Sequence, residues 1–137
     1  MSEMLISVLH PTARVKPSEG FPMGWRESMR DWFRKCADPE AVEYIVSVHE
    51  SRWADFWNGE LGPVHFPEWG RVVVVRNTGP DTNVSQINAA AAASSGKLLV
   101  GMMDDLYPPE RWDLALLGAV PDLDRETVLH CSTGSRR

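Results

Sequence analysis

Short apolar runs that do not alternate with polar residues are the feature that most restricts the fold of this chain. They are rich in Val, Ile and Leu and read MLISVLH (4–10), EYIVSVH (43–49), RVVVVRN (71–77), KLLVGMM (97–103) and TVLHCS (127–132). Continuous apolar runs of this length are typical of β-strands that are covered on both faces, as in parallel sheets. We therefore predict five strands in a mostly parallel sheet of the α/β class.

Helical patterns separate several of these runs. Residues 23–36 carry apolar side chains at spacings of three and four, which predicts an amphipathic helix. Residues 81–96 open on an Asp or Thr cap, contain a run of alanines and close on Gly96, whereas residues 108–120 open on prolines. The order of elements predicts a doubly wound sheet with right-handed crossovers. Residues 50–70 read as a loop and a candidate flap.

The size and charge of the chain limit its possible roles. Its 137 residues suit a single domain over 1–137, and 19 acidic against 14 basic residues give a net charge of −5. Without a basic excess, nucleic acid is not expected as a partner. No signal sequence or membrane span is read from the sequence, so a cytoplasmic location is expected. Cys36 and Cys131 fit buried thiols better than a disulfide.

Polar residues follow the apolar runs at positions that a parallel sheet would bring together. If the first three strands wind one way and the fourth returns beside the first, the spatial order is 3-2-1-4, and a crevice opens between strands 1 and 4. Strand 1 ends in residues 10–14, and strand 4 ends in Asp104 and Asp105. His49 and Glu50 lie at the end of strand 2 and would share that edge.

The paired aspartates predict a metal site. The sequence has no glycine-rich phosphate loop, and carboxylates repel a phosphate unless a cation lies between them. Mg²⁺ or Mn²⁺ accepts one or two carboxylates and completes its coordination with phosphate oxygens and water. Two other interpretations stay open: Asp104 caps the helix that begins near Pro108, or both carboxylates are simply solvated.

The tryptophans divide into two groups. Trp25 and Trp32 lie on the apolar stripe of the first helix and are expected in the core. Trp53, Trp57 and Trp69 are candidates for a platform on which a sugar ring stacks.

Three stretches together resemble the family 2 glycosyltransferases of the GT-A fold. They are ISVLHPTAR, EYIVSVHES and VVVVRNTGPDTNVSQINAAAAASSGKLLVGMMDDLYPPERWD. In that family a first strand ends in a Pro-containing nucleotide loop, a second ends in acidic residues, a small-residue helix carries an Asn, and a fourth strand ends in a metal motif. The resemblance implies a three-layer α/β/α sandwich with a Rossmann-like nucleotide-binding half, and it covers residues 4 to about 117.

The resemblance also implies roles for individual residues. Pro11 and Thr12 would line the nucleotide, His49 or Glu50 would contact the base, and Asp104 would face the ribose or the metal. The whole implied nucleotide set is Pro11, Thr12, Arg14, His49, Glu50, Gln86, Asn88 and Asp104, with Asp105 and Asp104 as metal ligands. The chain departs from the family at two positions. The Arg that commonly precedes the helix Asn is Ile87 here, with Gln86 as the nearest polar substitute, and the first Asp of the family's Asp-x-Asp metal motif is Met102.

The implied activity is transfer of a sugar from a nucleotide-diphosphate sugar, with inversion and with Mn²⁺ or Mg²⁺, to an unknown acceptor. Family members generally continue well past the metal motif, and the general base that they carry there has no matching position in this sequence. We therefore expect nucleotide binding with slow transfer or none. The alternatives are a non-catalytic nucleotide or nucleotide-sugar binding module and a structural α/β domain that needs a partner or forms a homo-oligomer.

Overall fold

The structure is a computed structural model that describes residues 4–12, 25–54, 69–102, 108–120 and 122. Within these residues it contains four strands and three α-helices. In chain order they are β1 (Ile6–Thr12), α1 (Trp25–Arg34), β2 (Val42–His49), β3 (Arg71–Asn77), α2 (Asn83–Ala92), β4 (Leu98–Gly101) and α3 (Trp112–Ala119). Short 3₁₀ turns, Pro39–Ala41 and Glu50–Arg52, precede and follow β2. The fifth predicted strand, 127–132, lies outside the described residues.

The strands form one parallel sheet in the order β3-β2-β1-β4, which confirms the predicted α/β class and the predicted order. Every residue of β1 is buried, as is every residue of β2 except the last, because both strands have neighbours on both sides. β3 lies at one end of the row, and its four valines are only partly buried. The continuous apolar runs therefore correspond to full burial only in the middle of the sheet.

Helices cover both faces of this sheet. Alternate residues of a strand point to opposite faces, and Val8 and Leu9 accordingly belong to different apolar clusters. Val8 packs in the cluster that contains Met29 of α1 and Trp112 of α3. Leu9 packs in the cluster that contains Ala90 of α2, where small alanine side chains let the helix lie close to the sheet. No helix among the described residues has the length and hydropathy needed to cross a membrane.

The first strand continues past its predicted end at residue 10 and includes Pro11 and Thr12. A central strand rarely accepts proline, because proline cannot donate a ladder hydrogen bond. Here the Leu9 carbonyl accepts from the Met102 N–H, so odd-numbered residues of β1 direct their backbone polar atoms toward β4. The last residue pair between β1 and β4 is Leu9 with Gly101. Pro11 lies beyond this pair, so no ladder hydrogen bond to β4 is lost through its missing N–H.

The two later helices are shorter than the sequence pattern predicted. Helix α2 ends at Ala92, and Gly96 is not its cap. Gly96 instead lies against β1, where an added Cβ would come within 2.7 Å of the Ser7 backbone nitrogen. Helix α3 begins at Trp112 rather than at the prolines, because Arg111 has a left-handed backbone with φ of 58° that interrupts any helix before it.

A buried carboxylate connects the strands at the amino edge of the sheet. Glu43 is fully buried and accepts hydrogen bonds from the Ser7 hydroxyl, from the backbone and hydroxyl of Ser95, from the Gly96 N–H at 3.2 Å and from Arg71 at 2.9 Å. Burial alone would raise the pKa of this carboxyl group, but the hydrogen bonds from Ser7, Ser95 and Arg71 outweigh it and lower the pKa below 4.5. The chain entering β4 is thereby fixed to β1, β2 and β3.

A second buried carboxylate joins the loop after α1 to α3. Asp113, which is 1% exposed, accepts from the backbone N–H groups of Ala37 and Asp38 at 2.8 and 2.9 Å. Burial opposes ionisation of Asp113, yet these bonds lower its pKa below 3.8. The Cys36 thiol also bonds to Asp113, and burial together with that carboxylate raises the thiol pKa to about 12. Cys36 is therefore a free, half-buried thiol that resists ionisation, whereas Cys131, the other thiol predicted to be buried, lies outside the described residues.

Candidate functional site

The carboxyl edge of the sheet brings together several of the residues that the sequence singled out. Thr12 at the end of β1 pairs with Val48 in β2, and His49 at the end of β2 pairs with Asn77 at the end of β3. Glu50 follows His49 directly and is exposed. The predicted proximity of the β1 and β2 ends is thus present in the structure.

His49 has a structural role within this edge. Its Nδ1 accepts from the Ser51 backbone N–H at 3.2 Å and caps the 3₁₀ turn that follows β2. Its Nε2 lies 2.9 Å from the Gly79 carbonyl, to which it donates. Since both ring nitrogens are bonded within the protein, Glu50 is the better candidate of the two for contact with a nucleotide base.

An ion pair joins the loops that follow β2 and β3. The guanidinium group of Arg52 binds both carboxylate oxygens of Asp81, at 2.6 and 3.1 Å. The hydrogen bond from Arg52 is the main reason that the pKa of Asp81 lies below 3.8. Together with the bond between His49 and Gly79, this pair holds the two loops side by side at the surface.

The loop after β3 is built around Asn77. Its side-chain oxygen accepts from the Gly79 N–H at 3.0 Å, and its amide nitrogen donates to the Pro80 carbonyl at 3.2 Å. Thr82 then caps α2 by accepting from the Ser85 N–H at 3.1 Å, as the sequence predicted for an Asp or Thr cap. The first turn of α2 therefore opens at the carboxyl edge, and Val84 within it is 70% exposed.

Gln86 and Asn88 occupy opposite sides of α2. Gln86 is 3% exposed, and its side-chain oxygen accepts from the Ser47 hydroxyl at 3.1 Å beneath the sheet edge. Asn88 is exposed, because two residues rotate a helix by about 200°. The structure therefore brings Gln86 to the strand ends but does not bring Asn88 there.

A buried polar chain lies under the crevice between β1 and β4. The Nδ1 atom of His10 is 2.7 Å from the Tyr44 hydroxyl, which donates to the sulfur of Met102 at 3.0 Å. Pro11 and Thr12, the last residues of β1, are also buried. Met102 begins the segment that leads to Asp104 and Asp105, and its bond to Leu9 fixes where that segment leaves β4.

Part of the predicted site lies outside the described residues, namely Arg14, Asp104, Asp105 and Trp57. Within the ranges that are described, no group of three His, Cys, Asp or Glu side chains could hold a metal ion. Trp69 is a core residue rather than a sugar platform, because it is 7% exposed and packs against Phe33 and Tyr44 at ring distances of 5.2 Å. Trp53 is partly buried, with the Arg76 guanidinium 5.8 Å from its ring centre.

Sequence reasoning did not single out Asn77 or Arg52, and it considered Asp81 only as an alternative cap of α2. A usable signal exists for Asn77, since the segment NTGPDT after β3 has the Asn, Gly and Pro typical of a tight loop. The ion pair is different, because Arg52 and Asp81 lie far apart in sequence and each is an ordinary surface residue type. Only the parallel pairing of β2 with β3 brings them together.

None of the family models, characterised proteins or solved structures compared with this chain matches it.

Proposed function

We propose that this chain binds a nucleoside diphosphate sugar together with Mn²⁺ or Mg²⁺, as the donor-binding part of an inverting glycosyltransferase. The observation that carries the proposal is the strand order β3-β2-β1-β4, all parallel. The chain winds outward from β1 to β3 and then crosses back to place β4 on the other side of β1. Ligands of open α/β sheets bind at such a reversal, outside the carboxyl ends of the strands.

Oxygen donors suit the metal part of the proposal. In the sequence, Asp104 and Asp105 come shortly after β4, and hard divalent cations prefer carboxylate oxygen and share their coordination with diphosphate. Asp105 is proposed as the metal ligand, and Asp104 as a second ligand or a contact to the ribose. When bound, the metal would neutralise the charge that develops on the diphosphate leaving group.

The base would lie between the ends of β1 and β2. Pro11 gives this wall a rigid backbone, and the exposed carboxylate of Glu50 can accept hydrogen bonds from N–H groups of the base. Gln86, fixed to Ser47, supports the wall from beneath the sheet. The three-layer GT-A arrangement and the roles of Thr12 and Arg14 belong to the same proposal.

A second candidate, a non-catalytic nucleotide-binding module, is favoured by the carboxylates at this edge. Transfer to a hydroxyl acceptor requires a general base close to the reacting oxygen. Among the described residues of the edge, Asp81 is held by Arg52, and Glu50 is assigned to the base of the nucleotide. Neither is left for deprotonating an acceptor, so we expect tight nucleotide binding with slow transfer.

The two candidates share a base site that a matched pair of substitutions can test. Glu50 and Glu40 are both exposed, and both lie in 3₁₀ turns beside β2, but at opposite edges of the sheet. Glu50→Ala should weaken binding of nucleoside diphosphates more than binding of pyrophosphate, whereas Glu40→Ala should change neither. Calorimetric titration measures both ligands, and equal effects of the two substitutions would contradict the proposed base site.

Turnover distinguishes the candidates. Release of free nucleoside diphosphate from a panel of nucleotide sugars, measured with and without added sugar acceptors, reports transfer and hydrolysis separately. Fast acceptor-dependent release supports the glycosyltransferase, and binding without release supports the module.

A further inference from the structure

We propose that His49 is a pH-sensitive switch at the carboxyl edge: the neutral ring closes the 3₁₀ turn Glu50–Arg52, and a proton on Nδ1 opens it. The turn begins with Glu50, to which the proposed function assigns the nucleotide base. The switch follows from the hydrogen bonds of the ring. Its effect on nucleotide binding rests on the proposed function.

The contacts of the ring determine which nitrogen of neutral His49 carries the hydrogen. Nε2 lies 2.9 Å from the Gly79 carbonyl oxygen, and a carbonyl only accepts, so Nε2 is the protonated atom. Nδ1 is therefore an acceptor, and it receives the Ser51 N–H at 3.2 Å. The Ser51 hydroxyl lies 2.8 Å from the same atom. In this state both ring nitrogens are satisfied, and the ring caps the turn.

Protonation of the ring changes only Nδ1, because Nε2 already carries a hydrogen. The charged ring keeps its bond to Gly79, and Nδ1–H can donate to the Ser51 hydroxyl. It has no lone pair left for the Ser51 N–H, so two donors then face each other. Because an unmatched donor is unfavourable, the Ser51 N–H turns away from the ring to reach water.

This rotation also breaks the bond that closes the turn. The Ser51 N–H and the Glu50 carbonyl belong to one planar peptide unit, so they rotate together. The Glu50 carbonyl accepts from the Trp53 N–H, and that bond closes the turn. A single proton on His49 therefore opposes both bonds and opens the turn that begins at Glu50.

The charged side chains around the ring leave histidine as the group to follow. Asp81, in the loop after β3, has a pKa below 3.8, chiefly through its hydrogen bond from Arg52 and to a smaller extent through the charge of His49, so it stays ionised. The other charged side chains that the described neighbouring elements carry are Glu50 and Arg52 in the turn and Arg76 in β3. Arginine keeps its charge, whereas histidine side chains in general change charge between about pH 5 and 8.

A matched pair of substitutions separates the cap from the titration. His49→Asn places an oxygen acceptor near the position of Nδ1, and asparagine is a good N-cap that does not titrate. His49→Ala has no acceptor at any pH. Both variants keep Glu50, so any titration of Glu50 itself is common to them and to the wild type.

Amide NMR spectra recorded between about pH 8 and pH 5 test the switch without a nucleotide. In the wild type, the Ser51 and Trp53 amide signals should move together with the His49 ring signals, toward their positions in His49→Ala. In His49→Asn they should stay constant, as should the Ser85 amide, which is bonded to the Thr82 hydroxyl. Ring signals that do not change over this range, a Trp53 signal that ignores the ring, or an equal movement in His49→Asn would overturn the proposal.

Calorimetric titration then tests the effect on the proposed nucleotide site. The affinity of the wild type for nucleoside diphosphate, divided by that of His49→Asn, should fall by about fivefold or more from about pH 8 to pH 5, because the ratio cancels the titration of the ligand. A ratio that does not change would overturn the regulation of binding. A switch seen by NMR in a chain that binds no nucleotide would confirm the switch and refute the proposed function.

Discussion

The two edges of the sheet use their polar residues in different ways. At the amino edge, Glu43 and Asp113 are buried, ionised and surrounded by hydrogen-bond donors from distant parts of the chain. At the carboxyl edge, Glu50 and Asp81 are exposed, and the bonds of His49 and Arg52 join neighbouring loops at the surface. The amino edge therefore fixes the fold, and the carboxyl edge leaves polar groups accessible to a ligand.

This difference has an energetic reason. A buried carboxylate is tolerated only when its hydrogen bonds are complete, and removing one partner leaves other groups unsatisfied. An exposed ion pair contributes little to stability, because water already solvates both charges. Substitutions at the amino edge should therefore change stability, and substitutions at the carboxyl edge should change binding.

The largest effect is expected for Glu43→Gln. In either orientation the NH₂ group of the new amide faces a donor, either the N–H groups of Ser95 and Gly96 or the guanidinium group of Arg71, so we expect the free energy of unfolding to fall by about 3 kcal/mol or more. Urea denaturation measures the change. The control is Glu40→Gln, an exposed residue near the same edge that should change stability by no more than about 0.5 kcal/mol. Similar midpoints for the two variants would show that the Glu43 network is not needed.

Asp113→Asn should have a smaller effect of the same kind. Asparagine keeps one oxygen for Ala37 or Asp38 but turns its amide toward the other N–H, at a cost of about 1–3 kcal/mol. Thermal unfolding followed by circular dichroism measures it. The exposed neighbour Asp38 provides the control, because Asp38→Asn keeps the backbone bond to Asp113. If Asp38→Asn lowered the thermal stability as much as Asp113→Asn, the stabilising role assigned to the Asp113 carboxylate would be refuted.

The pH dependence of stability should follow from the same two carboxylates. Their pKa values are lower in the folded chain than the reference values of 4.5 for Glu43 and 3.8 for Asp113. Near these values the unfolded chain therefore binds more protons than the folded chain. The stabilisation that the two ionised carboxylates provide is complete above the reference pKa values, and it is lost as the pH falls toward their pKa values in the folded chain. Urea midpoints between pH 3 and 7 should show this loss, and Glu43→Gln should flatten it. An unchanged slope in that variant would exclude Glu43 as a source.

The smallest change in stability is expected for Arg52→Gln. The substitution breaks the surface pair with Asp81 and should leave the thermal midpoint almost unchanged. It should weaken nucleoside diphosphate binding, by less than about tenfold, because the loops after β2 and β3 lose one of their connections. Parallel melting and titration experiments separate the two effects. A large loss of stability with unchanged binding would reverse the roles assigned to the two edges.

The sequence predicts the sheet well because its central strands are strongly apolar. The bounds of β3 were predicted correctly and those of β2 to within one residue, and the strand order was also correct. The predicted end of β1 was wrong, because β1 can include Pro11 only where its pairing with β4 has already stopped. The start of α3 was wrong because the left-handed backbone of Arg111 has no sequence signal.

The site was less predictable than the sheet. Position at a strand end identified His49 and Glu50, but only the bonds of His49 to Ser51 and Gly79 show that Glu50 is the more accessible of the two. Glu43 fell inside a predicted strand, and an acid in a buried run is a sign of a polar network. Its partners Ser7 and Ser95 are too distant in sequence to be named in advance.

The most direct test of the account is the metal dependence of nucleotide binding at the carboxyl edge. Calorimetric titration of the wild type with nucleoside diphosphates, with Mn²⁺ or with chelator, should show binding that requires the metal. Asp105→Asn should lose that metal-dependent part and remain folded, while the matched Asp38→Asn at the amino edge should bind like the wild type. Equal affinity with Mn²⁺ and with chelator in the wild type would contradict the account.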